Sequence, residues 1–110
     1  MPIDLPAEVF HLDELKSKQI DATAAWQLFL QRPGLLVCLY HVAEGESDEA
    51  THDPHELDEV YYLIRGAATI SIDGRDHDLS PGSIVFIQAG VQHHFHEVRE
   101  DLSLLVFFAG

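Results

Sequence analysis

Short apolar segments separated by turn-forming residues follow one another from Leu35 to the end of the chain, and this pattern constrains the fold more than any other feature. Asp73 and Gly74 stand between two such segments, and Asp-Gly is a dipeptide that a two-residue hairpin favours because both central positions need positive φ. Frequent turns without intervening helices favour an antiparallel sandwich or closed barrel over a parallel α/β sheet. We predict an all-β protein with strands at 35–42, 60–64, 67–72, 75–79, 84–87, 93–98 and 102–108, the second and third being separated by Gly66.

The N-terminal third of the chain lacks this pattern. Between Asp13 and Leu30 apolar residues recur with a weak helical period, and Asp21 is a candidate cap for a short helix. A length of 110 residues with 46% hydrophobic content is enough for one domain and too short for two. We expect residues 1–34 to form an extension with a short helix that packs on the barrel, and residues 35–110 to form the β-barrel, or jelly roll, itself.

Charge and hydropathy argue against nucleic-acid binding and against a membrane-spanning segment. Six basic residues against nineteen acidic ones give a formal net charge of -13, which repels the phosphate backbone of nucleic acids. No apolar run approaches the ~20 residues that a membrane-spanning helix needs, and the first ten residues lack the basic start of a signal peptide. We therefore expect a soluble, cytoplasmic protein.

The single cysteine, Cys38, lies in an apolar segment and is interpreted as a buried, unreactive thiol.

Histidines cluster in two short segments, and the first follows an acidic stretch. Residues 44–59 contain eight acidic side chains and no Lys or Arg, and we interpret most of them as a solvated loop that leads into a strand. Side chains of a strand alternate between its faces, so His55, Glu59 and Tyr61 share one face. A carboxylate that faces a core is costly unless it is paired or bound to a cation. The alternative is that His55 and Glu59 form a surface pair in this loop.

The second cluster lies near the C-terminus. By the same alternation His93, Phe95 and Glu97 share one face of a strand, and an inward Phe95 would direct His93 inward as well. His94 and His96 would then point the other way, as exposed or rim residues. Two imidazoles and one carboxylate that converge from different strands are typical of a non-haem Fe(II) site and also suit Mn, Ni or Zn.

The sequence therefore predicts a divalent transition metal bound by His55, Glu59 and His93. His52 lies three residues before His55, which on a regular strand would turn it to the opposite face. Pro54 marks the start of the strand and restricts the residue before it to an extended conformation, which would allow His52 to turn back as a fourth ligand. Both possibilities stay open.

The other histidines are assigned structural roles. His11, His41 and His77 lie outside both clusters. His41 has a second possible role, because it would line the mouth of a pocket if Val37 and Leu39 face inward.

Two segments resemble the paired motifs of the cupin superfamily. The first contains His52, His55 and the run DEVYYLIRG, the second is PGSIVFIQAGVQHHF, and the resemblance covers about two thirds of the chain. It implies a β-barrel, commonly dimeric, with a metal at its centre. The two His and one Glu of the first cupin motif correspond to His52, His55 and Glu59, and the His of the second corresponds to His93.

The chain also departs from the cupin pattern. Two residues, not one, separate the paired histidines of the first motif, which makes His52 the least secure ligand. Gln88 stands where the second motif usually has Pro, and Glu97 where it often has Asn. Neither of these two changes affects an expected metal ligand.

Three functions are compatible with such a barrel, since fold does not decide function. The first is a metal-dependent oxygenase, isomerase or lyase that acts on a small organic molecule, with Tyr61 either packing in the core or donating a hydrogen bond to substrate. The second is a non-catalytic domain that binds or senses a small molecule. The third is an interaction module stabilised by its metal. A homodimer is expected in each case, with strand edges or the Trp26 region as its contact.

Overall fold

The computed structural model describes residues 7–20, 26–48 and 56–110, and within them antiparallel β-sheet dominates. The elements are α1 (Leu12–Ile20), β1 (Trp26–Arg32), β2 (Leu35–Val42), β3 (Asp58–Ile72), β4 (Arg75–Leu79), β5 (Ile84–Ile87) and β6 (His93–Ala109). The all-β prediction is confirmed. Among these residues no helix is long and apolar enough to cross a membrane.

The two long strands β3 and β6 organise the sheet. The strand order is β1-β2-β6-β3-β4, and β5 pairs with the first part of β3 while β4 pairs with its last part. Both halves of β6 contribute to a single core, Phe95 and Val98 from the first half and Leu104 and Val106 from the second. The sheet therefore folds back around one interior, as a barrel does.

The predicted hairpin is confirmed. Ile72 lies opposite Arg75, and the two residues between them, Asp73 and Gly74, have φ values of 50° and 82°. These angles are what a tight turn between twisted strands requires.

The prediction that Gly66 separates two strands is wrong. Residues 58–72 form the single strand β3, whose pairing with β6 shifts register on either side of Gly66. Gly66 has a φ of +106°, and a Cβ atom there would collide with the backbone carbonyl of Asp101. The glycine therefore permits a bulge and a close backbone approach, and does not end the strand. Likewise, the two segments predicted within 93–108 are one strand, β6.

The helical interpretation of the N-terminal segment is only partly correct. Residues 12–20 form α1, whereas 26–30 belong to β1, which pairs with β2. The Trp26 ring stacks on the core residue Tyr40 with 3.9 Å between centroids. Strand pairing and this aromatic contact outweigh a weak helical period. Asp21 lies outside the described residues, and the division of the chain at residue 34 stays a prediction.

Candidate metal centre

Strand β3 carries two polar side chains into the core. Glu59 is 1% exposed and Tyr61 is fully buried, whereas Asp58 and Tyr62, which alternate with them, are exposed. The predicted alternation of β3 is therefore confirmed at these positions. Glu59 lies between Ile87 on β5 and Phe108 on β6, which are both buried apolar residues. A carboxylate in such surroundings needs a compensating charge.

His93, the first residue of β6, faces this carboxylate. Its Nε2 atom lies 2.9 Å from Oε1 of Glu59, and both side chains are 1% exposed. Its Nδ1 atom lies 2.8 Å from the carbonyl oxygen of Val91. Because a carbonyl can only accept, Nδ1 carries a proton and Nε2 is the nitrogen presented to Glu59.

The surroundings of His93 raise its affinity for a proton in the metal-free protein. Burial alone would lower the pKa of His93, but the hydrogen bonds to Glu59 and to Val91, together with the charges of Glu59 and Asp48, raise it above the usual 6.5. A metal ion that binds at Nε2 would compete with this proton. A histidine whose Nδ1–H is held by a backbone carbonyl is oriented as metal-bound histidines commonly are.

Tyr61 lies against both members of the pair. Its ring centroid is 5.9 Å from that of His93 and 5.0 Å from that of Phe95, both in edge-on contact. Burial first, and then the nearby charge of Glu59, raise the pKa of Tyr61 well above its usual value. The phenol therefore stays protonated and is a donor beside the carboxylate.

Asp48 is a buried member of the site that the sequence did not reveal. It is 6% exposed, and its carboxylate accepts hydrogen bonds from the Tyr40 hydroxyl at 2.7 Å and from the Phe95 backbone N–H at 2.6 Å. Burial and Asp48 together raise the pKa of Tyr40 far above its usual range. The interpretation of the acidic stretch as a solvated loop is therefore wrong for Asp48. Its partners lie on two different strands, β2 and β6, so neither composition nor period could have found it.

The two remaining expected ligands, His52 and His55, lie outside the described residues. Within the described ranges no set of three or more His, Cys, Asp or Glu side chains forms a metal site. The structure does bring together Glu59 and His93, one carboxylate and one imidazole, which are ligands that suit Fe, Mn, Ni or Zn. This donor pair fits a divalent transition metal, provided that further ligands complete it.

The comparisons with known proteins identify the family. The family model of the cupin domain matches residues 38–108. This chain is a cupin. The uncharacterized protein SCO3923 of Streptomyces coelicolor is 36% identical to this cupin over 102 residues, which cover 93% of this chain and 95% of that protein.

Solved structures agree with this assignment of fold. TT1209 of Thermus thermophilus is 26% identical, with a TM-score of 0.68 over 84% of this chain and 92% of that one. A predicted oxalate decarboxylase of Thermotoga maritima is 20% identical, with a TM-score of 0.66 over 76% of this chain and 77% of that one. At such low identity the second likeness supports the fold alone.

The second histidine cluster of this cupin is arranged largely as predicted. His93 and Phe95 are buried, whereas His94 and His96 are half-buried on the other side of β6. Nε2 of His96 lies 3.1 Å from Oδ1 of Asp76. The expectation for Glu97 is wrong, because its φ of 48° interrupts the alternation and leaves its side chain exposed.

The alternative role for His41 depended on Val37 and Leu39 facing the core. The core residues of β2 are instead Cys38, Tyr40 and Val42, so His41 lies on the opposite side of the strand. Cys38 is buried as predicted, and burial together with the charge of Glu59 raises its pKa to about 11.

Proposed function

We propose that this cupin binds a divalent transition metal through Glu59 and His93, together with His55, and that a small organic molecule occupies an open coordination position. The observation that carries the proposal is the buried contact of 2.9 Å between Nε2 of His93 and the Glu59 carboxylate. Replacing a buried ion pair by apolar side chains is often neutral or stabilising. The stability of the fold therefore does not explain the presence of the Glu59–His93 pair, whereas a role in metal binding does. His52 is the further ligand that the first motif offers.

The residues around the pair have roles that suit this proposal. When bound, a divalent metal would supply Lewis acidity to a coordinated molecule. The Val91 carbonyl holds the His93 ring so that Nε2 faces the interior. Tyr61, kept protonated by its surroundings, can donate a hydrogen bond to Glu59 or to a bound molecule. Asp48 holds the strand next to His93 through the Phe95 backbone.

A cleft beside the centre supports small-molecule binding. It has a volume of about 360 Å³ and opens between β4 and β5. The residues that line it are Ile70, Ile72, His77, Leu79, Ser83, Ile84, Val85 and Phe86. Ile72 lies opposite His93, and Val85 lies opposite Tyr61, so two residues that line the cleft are strand neighbours of residues at the centre. Its size and mostly apolar lining are typical of pockets for small organic ligands.

Metal analysis of the protein purified without an affinity tag tests the proposal. We expect a near-stoichiometric transition metal in the wild type and its loss in His93→Ala, Glu59→Gln and His55→Ala. His94→Ala is the matched control, because it removes an adjacent imidazole that faces the other way. Full metal occupancy in His93→Ala would refute the assignment of the site.

Catalysis and simple binding are two forms of this function. Among the described residues that line the cleft His77 is the only ionisable one, and this scarcity of acid–base groups favours a non-catalytic binding or sensing domain. The alternative is a metal-dependent lyase that acts on a small carboxylic acid, the class of reaction that the name of the Thermotoga maritima protein gives for that protein. Product analysis and oxygen consumption with a panel of small carboxylic, carbonyl and phenolic compounds separate the two, with His93→Ala as the blank. Turnover that His93→Ala abolishes would establish the enzyme, whereas binding without turnover would establish the sensor.

A further inference from the structure

Strand β4 separates its charged side chains by sign. Successive side chains of a strand alternate between its two faces, so Arg75, His77 and Leu79 share one face. Asp76 and Asp78 share the other. Acidic residues outnumber basic ones by 19 to 6 in the whole chain, and a strand face with basic groups and no acid is therefore a specific local feature.

The contacts of the two acids show which way each face of β4 points. Oδ1 of Asp76 lies 3.1 Å from Nε2 of His96, and Oδ1 of Asp78 accepts a hydrogen bond of 2.9 Å from the hydroxyl of Thr69. His96 and Thr69 lie directly opposite each other, and His96 is on the side of β6 that faces away from His93. The acids of β4 therefore face away from the candidate metal centre, and its basic residues face the side that contains the centre.

The basic face of β4 borders the ligand cleft. Directly opposed residues of an antiparallel pair share a face, and Arg75 lies opposite Ile72 while His77 lies opposite Ile70. Both isoleucines and His77 line the cleft of about 360 Å³ between β4 and β5. Arg75 continues the same face to the end of β4, so it lies at the rim of the cleft. We call Arg75 and His77 the basic rim.

The guanidinium of Arg75 is available to a ligand. Arg75 is exposed, and in the part of the chain that the structure describes its side chain takes part in no ion pair. The acid on the inner face of β3, Glu59, is paired with His93 at 2.9 Å. Strand β5, which forms the opposite wall of the cleft, has no ionisable side chain from Ile84 to Ile87. An anion at the basic rim would therefore meet a cation that no described acid contacts.

The rest of the cleft suits an apolar body. Apart from His77 and Ser83 its lining is apolar and consists of Ile70, Ile72, Leu79, Ile84, Val85 and Phe86. Two of these side chains are largely in contact with solvent, since Ile84 is 71% exposed and Phe86 62%. Large apolar side chains exposed together are typical of a ligand-binding groove, because a ligand that covers them removes apolar surface from water.

The net charge of the chain favours an anion as the occupant of this particular cleft. A protein with a charge of -13 repels anions in general, so an organic anion binds only where the local charge is reversed, as it is at the basic rim. A cationic ligand would instead be attracted to the acidic surface and repelled by Arg75. Guanidinium groups also match carboxylates in geometry, since they can donate two parallel hydrogen bonds.

We propose that the cleft binds an amphipathic organic carboxylate. Arg75 holds its anionic group, His77 is a second hydrogen-bond donor to that group, and the apolar body lies between β4 and β5. This assignment rests on the small-molecule part of the proposed function and not on the metal, and it holds for a sensor and for an enzyme alike because it concerns recognition. Arg75 is then the residue that determines specificity for an anion.

Isothermal titration calorimetry with two matched probes tests the proposal. The probes are 3-phenylpropionate and its neutral amide, 3-phenylpropanamide, which share an apolar body and differ in the charge of one end. We expect the wild type to bind the carboxylate about 10-fold more tightly than the amide, and Arg75→Gln to lose this preference while its affinity for the amide is unchanged. Phe86→Ala should weaken the binding of both probes by similar factors, because it removes apolar lining that both would cover.

Arg65→Gln is the matched control, since it removes the same charge from an exposed residue of β3 that does not line the cleft. It should keep the preference for the carboxylate. Arg75→Lys keeps the charge without the planar guanidinium and should restore part of the preference. A wild type that binds neither probe or both equally, an Arg75→Gln variant that keeps the preference, or an equal loss in Arg65→Gln would each overturn the proposal.

Metal analysis of the same preparations separates this proposal from the metal site. The titrations are made with the protein as purified and again after treatment with a chelator, so that a carboxylate bound by a metal is distinguished from one bound by Arg75. Full metal occupancy without a preference for the carboxylate would overturn the assignment of Arg75 alone. A preference that depends on Arg75 in protein that retains no metal would support that assignment and refute the metal site alone.

Discussion

Replacing the buried pair of Glu59 and His93 one residue at a time, and then together, distinguishes a functional pair from a structural one. In the metal-free protein His93→Leu takes away the partner of a carboxylate that is only 1% exposed, and such a loss costs about 3–5 kcal/mol. Glu59→Leu should cost less, because a neutral His93 keeps its hydrogen bond to Val91. The double variant Glu59→Leu/His93→Leu buries only apolar groups, and we expect it to be at least as stable as the wild type.

The magnitudes are large enough to measure. A small domain has a free energy of unfolding of about 5–15 kcal/mol, so the single His93→Leu change removes a large fraction of it. Urea unfolding of chelator-treated protein measures this through the fluorescence of Trp26, whose ring stacks on the core residue Tyr40. His94→Leu is the control, since its half-buried side chain faces away from the centre, and a change of no more than about 1 kcal/mol is expected.

The outcome for the double variant decides the argument. A double variant that is stable in the metal-free state but does not retain metal would show that the pair is kept for binding, at no gain in stability. If the double variant is instead destabilised as much as His93→Leu alone, the pair is a structural element, and the reasoning that assigns it to a metal is refuted.

Three further predictions concern pH, the thiol and one glycine. Because the pKa of His93 is raised on folding, its contribution to the stability of the metal-free protein is complete below pH 6.5 and is lost as the pH rises through the folded-state pKa. The stability of the zinc-loaded protein should instead increase with pH, because the metal displaces the proton. Urea unfolding at several pH values, with and without zinc, measures both trends. Cys38, with a pKa of about 11, should react with a thiol reagent at about pH 8 only as fast as the protein unfolds, and immediate labelling would contradict its burial. Gly66→Ala should cost at least about 2 kcal/mol in urea unfolding because its Cβ would meet the Asp101 carbonyl, whereas Gly74→Ala, with open space around it, should cost less, and equal losses would refute the steric argument.

Local chemistry explains which parts of the fold were predictable. The hairpin at Asp73 and Gly74 depends on two adjacent residues that tolerate positive φ, so the sequence alone identifies it. The inward direction of Glu59 and Tyr61 follows from strict alternation along an uninterrupted part of β3. In both cases the determining interactions lie within a few residues of one another.

The wrong predictions concern residues whose conformation depends on contacts with distant parts of the chain. Glu97 was expected beside His93, but its positive φ interrupts the alternation of β6, and no sequence signal marks a bulge at a non-glycine residue. Trp26 falls within the predicted helical pattern, but it stacks on Tyr40, which lies on another strand, and the local sequence carries no signal of that contact. Both outcomes depend on contacts that form only when distant strands pair, which propensity and period do not encode.

Asp48 shows why the acidic stretch cannot be treated as uniform. Its carboxylate binds the hydroxyl of Tyr40 on β2 and the backbone N–H of Phe95 on β6, and its own N–H donates to the Phe95 carbonyl at 3.3 Å. These bonds tie the chain just before the first histidine cluster to the strand that carries His93, two residues from that imidazole. The same charge contributes to the raised pKa of His93. An acid of the stretch interpreted as a solvated loop thus connects the segment before the first histidine cluster to the strand that carries the second.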